Sequence, residues 1–475
     1  MIPDPEAAGP NLLDACAPVR AILNRVGDKW SMMLIGMLQE GPRRFSELKS
    51  MTPGISSRML TQTLRQLEAC DDPDVREAHA PASVPFGAEG GVGAGVVGSD
   101  RLFAPPVAAL VQSVLGHSLD FDDTHARSAT HPTAAVLPAV LPAGDLIGAT
   151  GRQQVVALVA GYEVMTRLGL ALDPDAHYRR GFHPTATCGA LGAAAAVASL
   201  LALDTRATAG AFAIAAAQAA GSMQYVRSCD WTKRWQVGCA AMNGVTAACL
   251  AAEGWPAGFD AIEGEPGFLA SHSEAPDARL ITAGLGRSWE TLSIGVKPWA
   301  CCRYAHAAID GLLQLRADGL IGAKSPVRIT IGLSETGLRL CGAPIEAKRR
   351  VRSIAEAQLS MPFLAALALD EGDFGYDSLA RAGDPCLEAL ADRIDTRIDE
   401  RLAARGCPLG ASITVHSAET TFERIVEEPS GEPKHFPSLA KTMQKFMMLA
   451  EPMLGASASS LAESFRWSRT VRQGA

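Results

Sequence analysis

Residues 117–132, HSLDFDDTHARSATHP, crowd three carboxylates and three histidines into a chain otherwise rich in Ala, Gly and Leu. Two chemistries suit such a cluster: a metal held by Asp and His, or an acid/base site that moves protons on a substrate. Zinc-type spacings such as H-x-x-x-H and H-E-x-x-H are absent. On a helix, His117, Asp120, Phe121 and Thr124 share one side, while Asp122, Asp123 and His125 point elsewhere. The carboxylates then do not converge, and no metal ligand set is expected. His131 precedes Pro132, a residue suited to the first turn of a following helix. Asp120, Thr124 and His131 are therefore expected to reach one cavity.

The elements that must position these groups are mostly helical. At 475 residues, with 48% hydrophobic and 20% charged residues, the chain is globular and long enough for about two to four domains. Ala/Leu-rich helical patterns run from about residue 99 to 255. The stretches 186–203 and 207–223 are Ala/Gly-rich and short for membrane spans, so they read as closely packed helices. Alternation at 327–333 and 411–418 predicts strands, 306–319 reads as helix between them, and 437–468 is helical again. The fold class expected is mainly α: a large all-helical domain over 99–279 and 437–475 with a smaller α+β domain, 280–436, inserted. Before it lie a helix-turn-helix segment, 1–70, and a Pro/Gly-rich linker, 71–98.

A net charge of −8 excludes a generally basic surface, so any nucleic-acid contact must be a local patch. Eleven scattered cysteines without a C-x-x-C pair fit a reducing compartment. The N-terminal MIPDPEAAGP lacks a basic start and an apolar run. A cytoplasmic location and no membrane association are expected.

In residues 16–68, helical spacing as far as Leu38 gives way to Gly41-Pro42, a short helix from Phe45 to Met51, the turn TPGIS and a helix capped by Ser56 or Ser57. The motifs V-G-D-K-W, G-P-R-R-F-S-E-L and G-I-S-S-R-M-L-T resemble the HxlR family of winged-helix regulators. Arg43, Arg44, Lys49, Arg58 and Arg65 against Glu47 form a basic patch for phosphates. The resemblance implies duplex DNA as partner and Arg43, Arg44, Ser56, Arg58 and Arg65 as contacts. However, the third helix leads into an acidic, then Pro/Gly-rich stretch where that family has its wing. A helical cap that does not bind DNA fits as well.

From about residue 97 to 465, five motifs resemble the MmgE/PrpD family in type and order. They are H-S-L-D-F-D-D-T-H-x5-H-P, G-F-H-P-T-A-T-C-G, T-K-R-W-Q-V-G, V-K-P-W-A-C-C-R-Y-A-H and A-Q-L-S-M-P-F. The resemblance implies a helical domain with an α+β lid, a homodimer, no cofactor and a small di- or tricarboxylate substrate. It places the pocket on Asp120, Thr124, His131, His183, Lys233 and Lys297. His131 is then the base, Asp120 its orienting partner, and Lys233, Lys297 and Arg303 the cations facing developing negative charge. Thr124 can hold a carboxylate. Each side chain also has a purely structural reading: a bundle hydrogen bond, a helix cap or a solvated charge. Two positions depart from the family. Cys302 stands where a second histidine occurs, a weak acid or a bystander, and Phe363 where a tyrosine hydroxyl often stands. Dehydration of a 2-methylcitrate-like acid is the first expectation, with decarboxylation or epimerisation behind it. Other possibilities are a metabolite-sensing regulator and an inactive fusion.

Overall fold

The computed structural model describes residues 49–50 and 93–462, except 98, 326, 418, 419 and 456. Arg43, Arg44, Ser56, Arg58 and Arg65 lie outside these residues. By its contacts Val84–Phe436 forms one compact unit, while the helix Leu439–Leu454, inside the stretch read as helical, belongs to another.

Among the described residues the larger unit starts with a hairpin, β1 (Ala94–Val96) and β2 (Ser99–Phe103), and continues into α1 (Pro105–His117). A short strand, β3 (Asp123–His125), precedes α2 (Pro132–Ile147), α3 (Gly151–Ala171), α4 (Pro174–Arg179), α5 (Pro184–Leu200), α6 (Thr205–Ala217) and α7 (Thr232–Ala252). The helix starts follow from local chemistry. Proline opens α1, α2 and α5, where its missing N–H costs nothing. Thr150 and Gln153 form a reciprocal capping box on α3, and Asp204 accepts from the Ala207 N–H to cap α6.

Helix α5 is the hub of this body and packs on α2, α3, α6 and α7. Every residue of it except Ser199 is buried. Its Ala/Gly composition permits that, because small side chains let helices approach closely. Where α3 crosses α5, a Cβ on Gly161 would lie 2.7 Å from the Gly192 carbonyl oxygen, so the crossing has no room for a larger residue. Among the described residues no helix is long and apolar enough to cross a membrane.

Strand β4 (Ile294–Val296) pairs antiparallel with β3. After α8 (His306–Ala317) come β5 (Arg328–Leu333), α9 (Met361–Asp370), β6 (Ile394–Ile398), β7 (Ala411–His416) and β8 (Thr421–Val426). The sheet order is β6-β5-β7-β8, parallel only between β5 and β6. Ile329, Ile331, Ile413 and Val415 bury the alternating face that marked β5 and β7 in the sequence. Helix α8 covers β7 and β8, and α9 packs on α8 and β6.

Candidate active site

The segment 117–125 does not form the continuous helix expected from its spacing. α1 ends at His117, Asp120 adopts a left-handed conformation with φ of 50°, and residues 123–125 extend as β3. Tertiary donors account for the break. Arg234 donates to the Ser118 carbonyl through Nε and Nη2 at 3.3 Å each, and Gln358 Nε2 donates to that of Leu119 at 2.8 Å. The Lys297 ammonium donates to the Asp120 carbonyl at 3.0 Å. These carbonyls are claimed by side chains from distant segments instead of a helical ladder, and Asp tolerates the left-handed turn better than most residues.

The turn brings the carboxylates together after all. Asp120 Oδ1 accepts from Lys233 Nζ at 2.8 Å and from Lys297 Nζ at 2.6 Å. Burial raises the Asp120 pKa, but the two lysines outweigh it and hold the group well below the usual carboxylate range. Lys297, 1% exposed, is deprived of water, but Asp120 and Asp122 raise its pKa and keep it charged. Asp120 thus holds the lysines rather than orienting His131. Asp122 does not point away either: its Oδ2 accepts from His117 Nδ1 at 2.6 Å and lies 3.5 Å from His131 Nδ1. Asp123 is the helix cap of this trio, accepting from the Thr133 N–H at 3.0 Å, and burial pushes its pKa up to about 7. His125 is structural, bridging Ser128 and Glu290.

The histidines are fixed in opposite tautomers. His131 Nδ1 lies 2.9 Å from the Asp123 carbonyl oxygen, which only accepts, so the proton sits on Nδ1 and Nε2 keeps its lone pair. At His183, the Ser222 N–H donates to Gln236 Oε1 at 2.7 Å and thereby sets the amide's orientation. Gln236 Nε2 then donates to His183 Nδ1 at 3.0 Å, which leaves the proton on His183 Nε2. Burial pushes the His131 pKa down to about 3 and that of His183 well below its ordinary value. Both residues stand at the N-cap of a long helix, α2 or α5, whose positive end further disfavours an imidazolium. The pair presents one base and one hydrogen-bond donor, both neutral.

Asp120, Thr124, His131, His183, Lys233, Lys297, Cys302 and Arg303 all line one cavity. Thr124 Oγ1 is buried without a protein partner, an orphan that a ligand oxygen would satisfy. Arg303 is less free than expected for a substrate-binding cation. Its Nε and Nη2 donate to Glu432 at 2.9 and 2.6 Å, and its Nη1 to His306 and the Ser430 carbonyl at 3.0 Å each. A hydrogen bond from Cys341 holds the Cys302 thiol below its usual range, against burial. Phe363 is buried in α9.

Two features escaped the sequence reading. The tetrapeptide His-Pro-Thr-Ala occurs twice, at 131–134 and 183–186, and each copy starts a helix at the cavity. Thr185 of the second copy accepts from the His131 N–H of the first at 3.2 Å. The chain has five tyrosines, and three of them, Tyr178, Tyr225 and Tyr304, line the cavity. The repeat and the scarcity of tyrosine were the available signals.

Among the described residues, His117, Asp122 and His131 bring three metal-type ligand atoms within 4.8 Å of one another. A cation there would displace the proton shared by His117 and Asp122 and meet the Lys297 ammonium 3.9 Å from Asp122 Oδ1. The donor set fits a hydrogen-bonded dyad better than a metal cage.

A helical body carrying neutral histidines beside a carboxylate shared by two lysines can bind an anion and transfer protons. Sequence comparison gives the same direction: the chain belongs to the MmgE/PrpD family. The family's N-terminal domain matches residues 63–281 and its C-terminal domain 299–467, so the match begins well before the expected residue 97. An HxlR-like helix-turn-helix matches residues 25–73. A cis-aconitate decarboxylase of Aspergillus terreus is 27% identical over 378 residues, covering 75% of this chain and 76% of its own. The cis-aconitate decarboxylase-like protein oryM of Aspergillus oryzae is 30% identical over 366 residues, 71% of this chain and 74% of its own. An uncharacterized HTH-type transcriptional regulator of Bacillus subtilis is 47% identical over 51 residues, 11% of this chain and 40% of its own.

Proposed function

We propose that the chain is a lyase that acts on a small tricarboxylate through a carbanion beside a carboxylate, and that decarboxylation of a cis-aconitate-like acid is its reaction. The observation that carries this reading is the Asp120-bridged pair Lys233 and Lys297 lining one cavity with the neutral histidines His131 and His183. When a carboxylate leaves as CO₂, the electron pair of the broken C–C bond passes through the double bond toward a remaining carboxylate. The lysine ammoniums stabilise that charge in a site where water does not screen them. A proton must then reach carbon, and the histidines are the groups placed to move it. The named activity of the Aspergillus terreus relative, a cis-aconitate decarboxylase, supports decarboxylation.

Dehydration of a 2-methylcitrate-like hydroxy acid is the second reading. It is favoured by the opposite tautomers, because elimination needs a base for the C–H, which His131 Nε2 provides, and a donor for the departing hydroxyl, which His183 Nε2–H provides. The test is to incubate EDTA-treated protein separately with carboxyl-¹³C-labelled cis-aconitate and with 2-methylcitrate. Release of ¹³CO₂ from the first supports decarboxylation, and an unsaturated tricarboxylate from the second supports dehydration. Neither product, from folded protein across a panel of citrate-like acids, refutes a lyase.

A further inference from the structure

The cavity's charges do not by themselves match a tricarboxylate. Lys233 and Lys297 contribute two positive charges, and the Asp120 carboxylate between them takes up one. Arg303 is neutralised by Glu432. Asp122, 3.9 Å from Lys297, takes up part of what remains, so three substrate carboxylates face a surplus of at most about one positive charge, and neutral donors have to hold what the lysines do not. Tyr178, Tyr225 and Tyr304 are such donors. All three line the cavity, and among the described residues none of their hydroxyls has a hydrogen-bond partner. Tyr225 is 5% exposed and sets its ring edgewise to His183, with centroids 5.4 Å apart. Burial raises the pKa of each phenol, and the charge of a Cys302 thiolate would raise it further, so all three stay protonated. Phe363 has no hydroxyl to offer, so these phenols are the cavity's phenolic donors among the described residues.

We propose that Tyr178, Tyr225 and Tyr304 form a neutral donor wall that receives the one substrate carboxylate not paired with Lys233 and Lys297, and so selects tricarboxylates over dicarboxylates. This rests on the tricarboxylate reading above. Phenols suit the task because a protonated hydroxyl binds a carboxylate without placing another charge in a dry site.

The test is calorimetric binding of tricarballylate, an inert saturated tricarboxylate, beside glutarate and methylsuccinate, each of which is tricarballylate less one carboxylate. The full chain is compared with Tyr178→Phe, Tyr225→Phe and Tyr304→Phe, each first checked for an unchanged melting temperature. The wall predicts that at least one variant binds tricarballylate about tenfold more weakly, equivalent to ~1.4 kcal/mol. That variant's affinity for whichever dicarboxylate lacks the wall-bound group stays as in the wild type. Tricarballylate binding unchanged in all three variants overturns the wall and leaves the lyase reading intact. Equal weakening for all three ligands also overturns it, since it reports general pocket shape. Wild-type protein that binds none of the acids at millimolar concentration sinks the tricarboxylate reading, and the wall with it.

Discussion

Replacing Asp120 by Asn keeps the size of the side chain but removes the charge that two buried lysines share. Lys233 and Lys297 approach Asp120 Oδ1 to 2.8 and 2.6 Å. At an effective dielectric of about 20, each contact is worth about 6 kcal/mol of attraction before desolvation is subtracted. Lys297 keeps Asp122 at 3.9 Å as a second partner, worth about 4 kcal/mol on the same scale. The net loss therefore falls at the lower end of the range for breaking a buried pair, about 3 kcal/mol. The assay is thermal unfolding across pH together with steady-state kinetics. The pKa of Asp120 in the fold lies below its unfolded value of about 3.9. Its contribution is therefore complete above about pH 5 and is lost progressively as pH falls from there through the folded value, so the stabilities of wild type and D120N begin to converge below about pH 4 and meet only below the folded value. Lys297, with less counter-charge in a dry site, also loses its proton more readily, so kcat falls along with stability. A D120N protein as stable as wild type at pH 7, with unchanged kcat, would refute the reasoning.

Thr124→Val removes a buried hydroxyl that has no protein partner, so the melting temperature is expected to hold or rise, while KM for a carboxylate substrate rises several-fold. Gln236→Leu removes the donor that fixes His183 Nε2–H. A fall in kcat with little change in KM is expected in steady-state kinetics, and an unchanged kcat would sever His183 from proton delivery. Burial lowers the pKa of His117, His125, His131, His177, His183 and His306. The unfolded chain therefore binds more protons than the folded one below about pH 6.5, and stability is expected to fall with acid from there, by up to about 1.4 kcal/mol per pH unit per histidine. Denaturant titrations at pH 7 and pH 5 measure it.

Much of the site was legible because its residues come in dense local motifs. Asp120, Thr124, His131, His183, Lys233 and Lys297 lie on one cavity although 177 residues separate Asp120 from Lys297. The strands at 327–333 and 411–418 showed because one face of each is buried, and Ala/Gly content gave away the hub helix α5. The geometry of 117–125 was not legible. Helical spacing is a local rule, and the turn at Asp120 is imposed by Arg234, Lys297 and Gln358, which lie 114 or more residues along the chain. The same long-range contacts reassigned Asp120 from His131 to the lysines and turned Asp122 inward. Arg303 looked available because nothing near it in sequence reveals Glu432, its buried partner 129 residues later.

The central claim is that His131 and His183 together move the proton while Lys233 and Lys297 hold the developing charge. The most direct measurement is proton NMR of the reaction in D₂O, with EDTA-treated wild type and His131→Ala incubated with cis-aconitate and 2-methylcitrate. The account predicts stereospecific deuterium at one carbon of substrate or product in the wild type, and loss of that incorporation by about 10²–10⁴-fold in a folded His131→Ala protein. Equal incorporation by both proteins would contradict it.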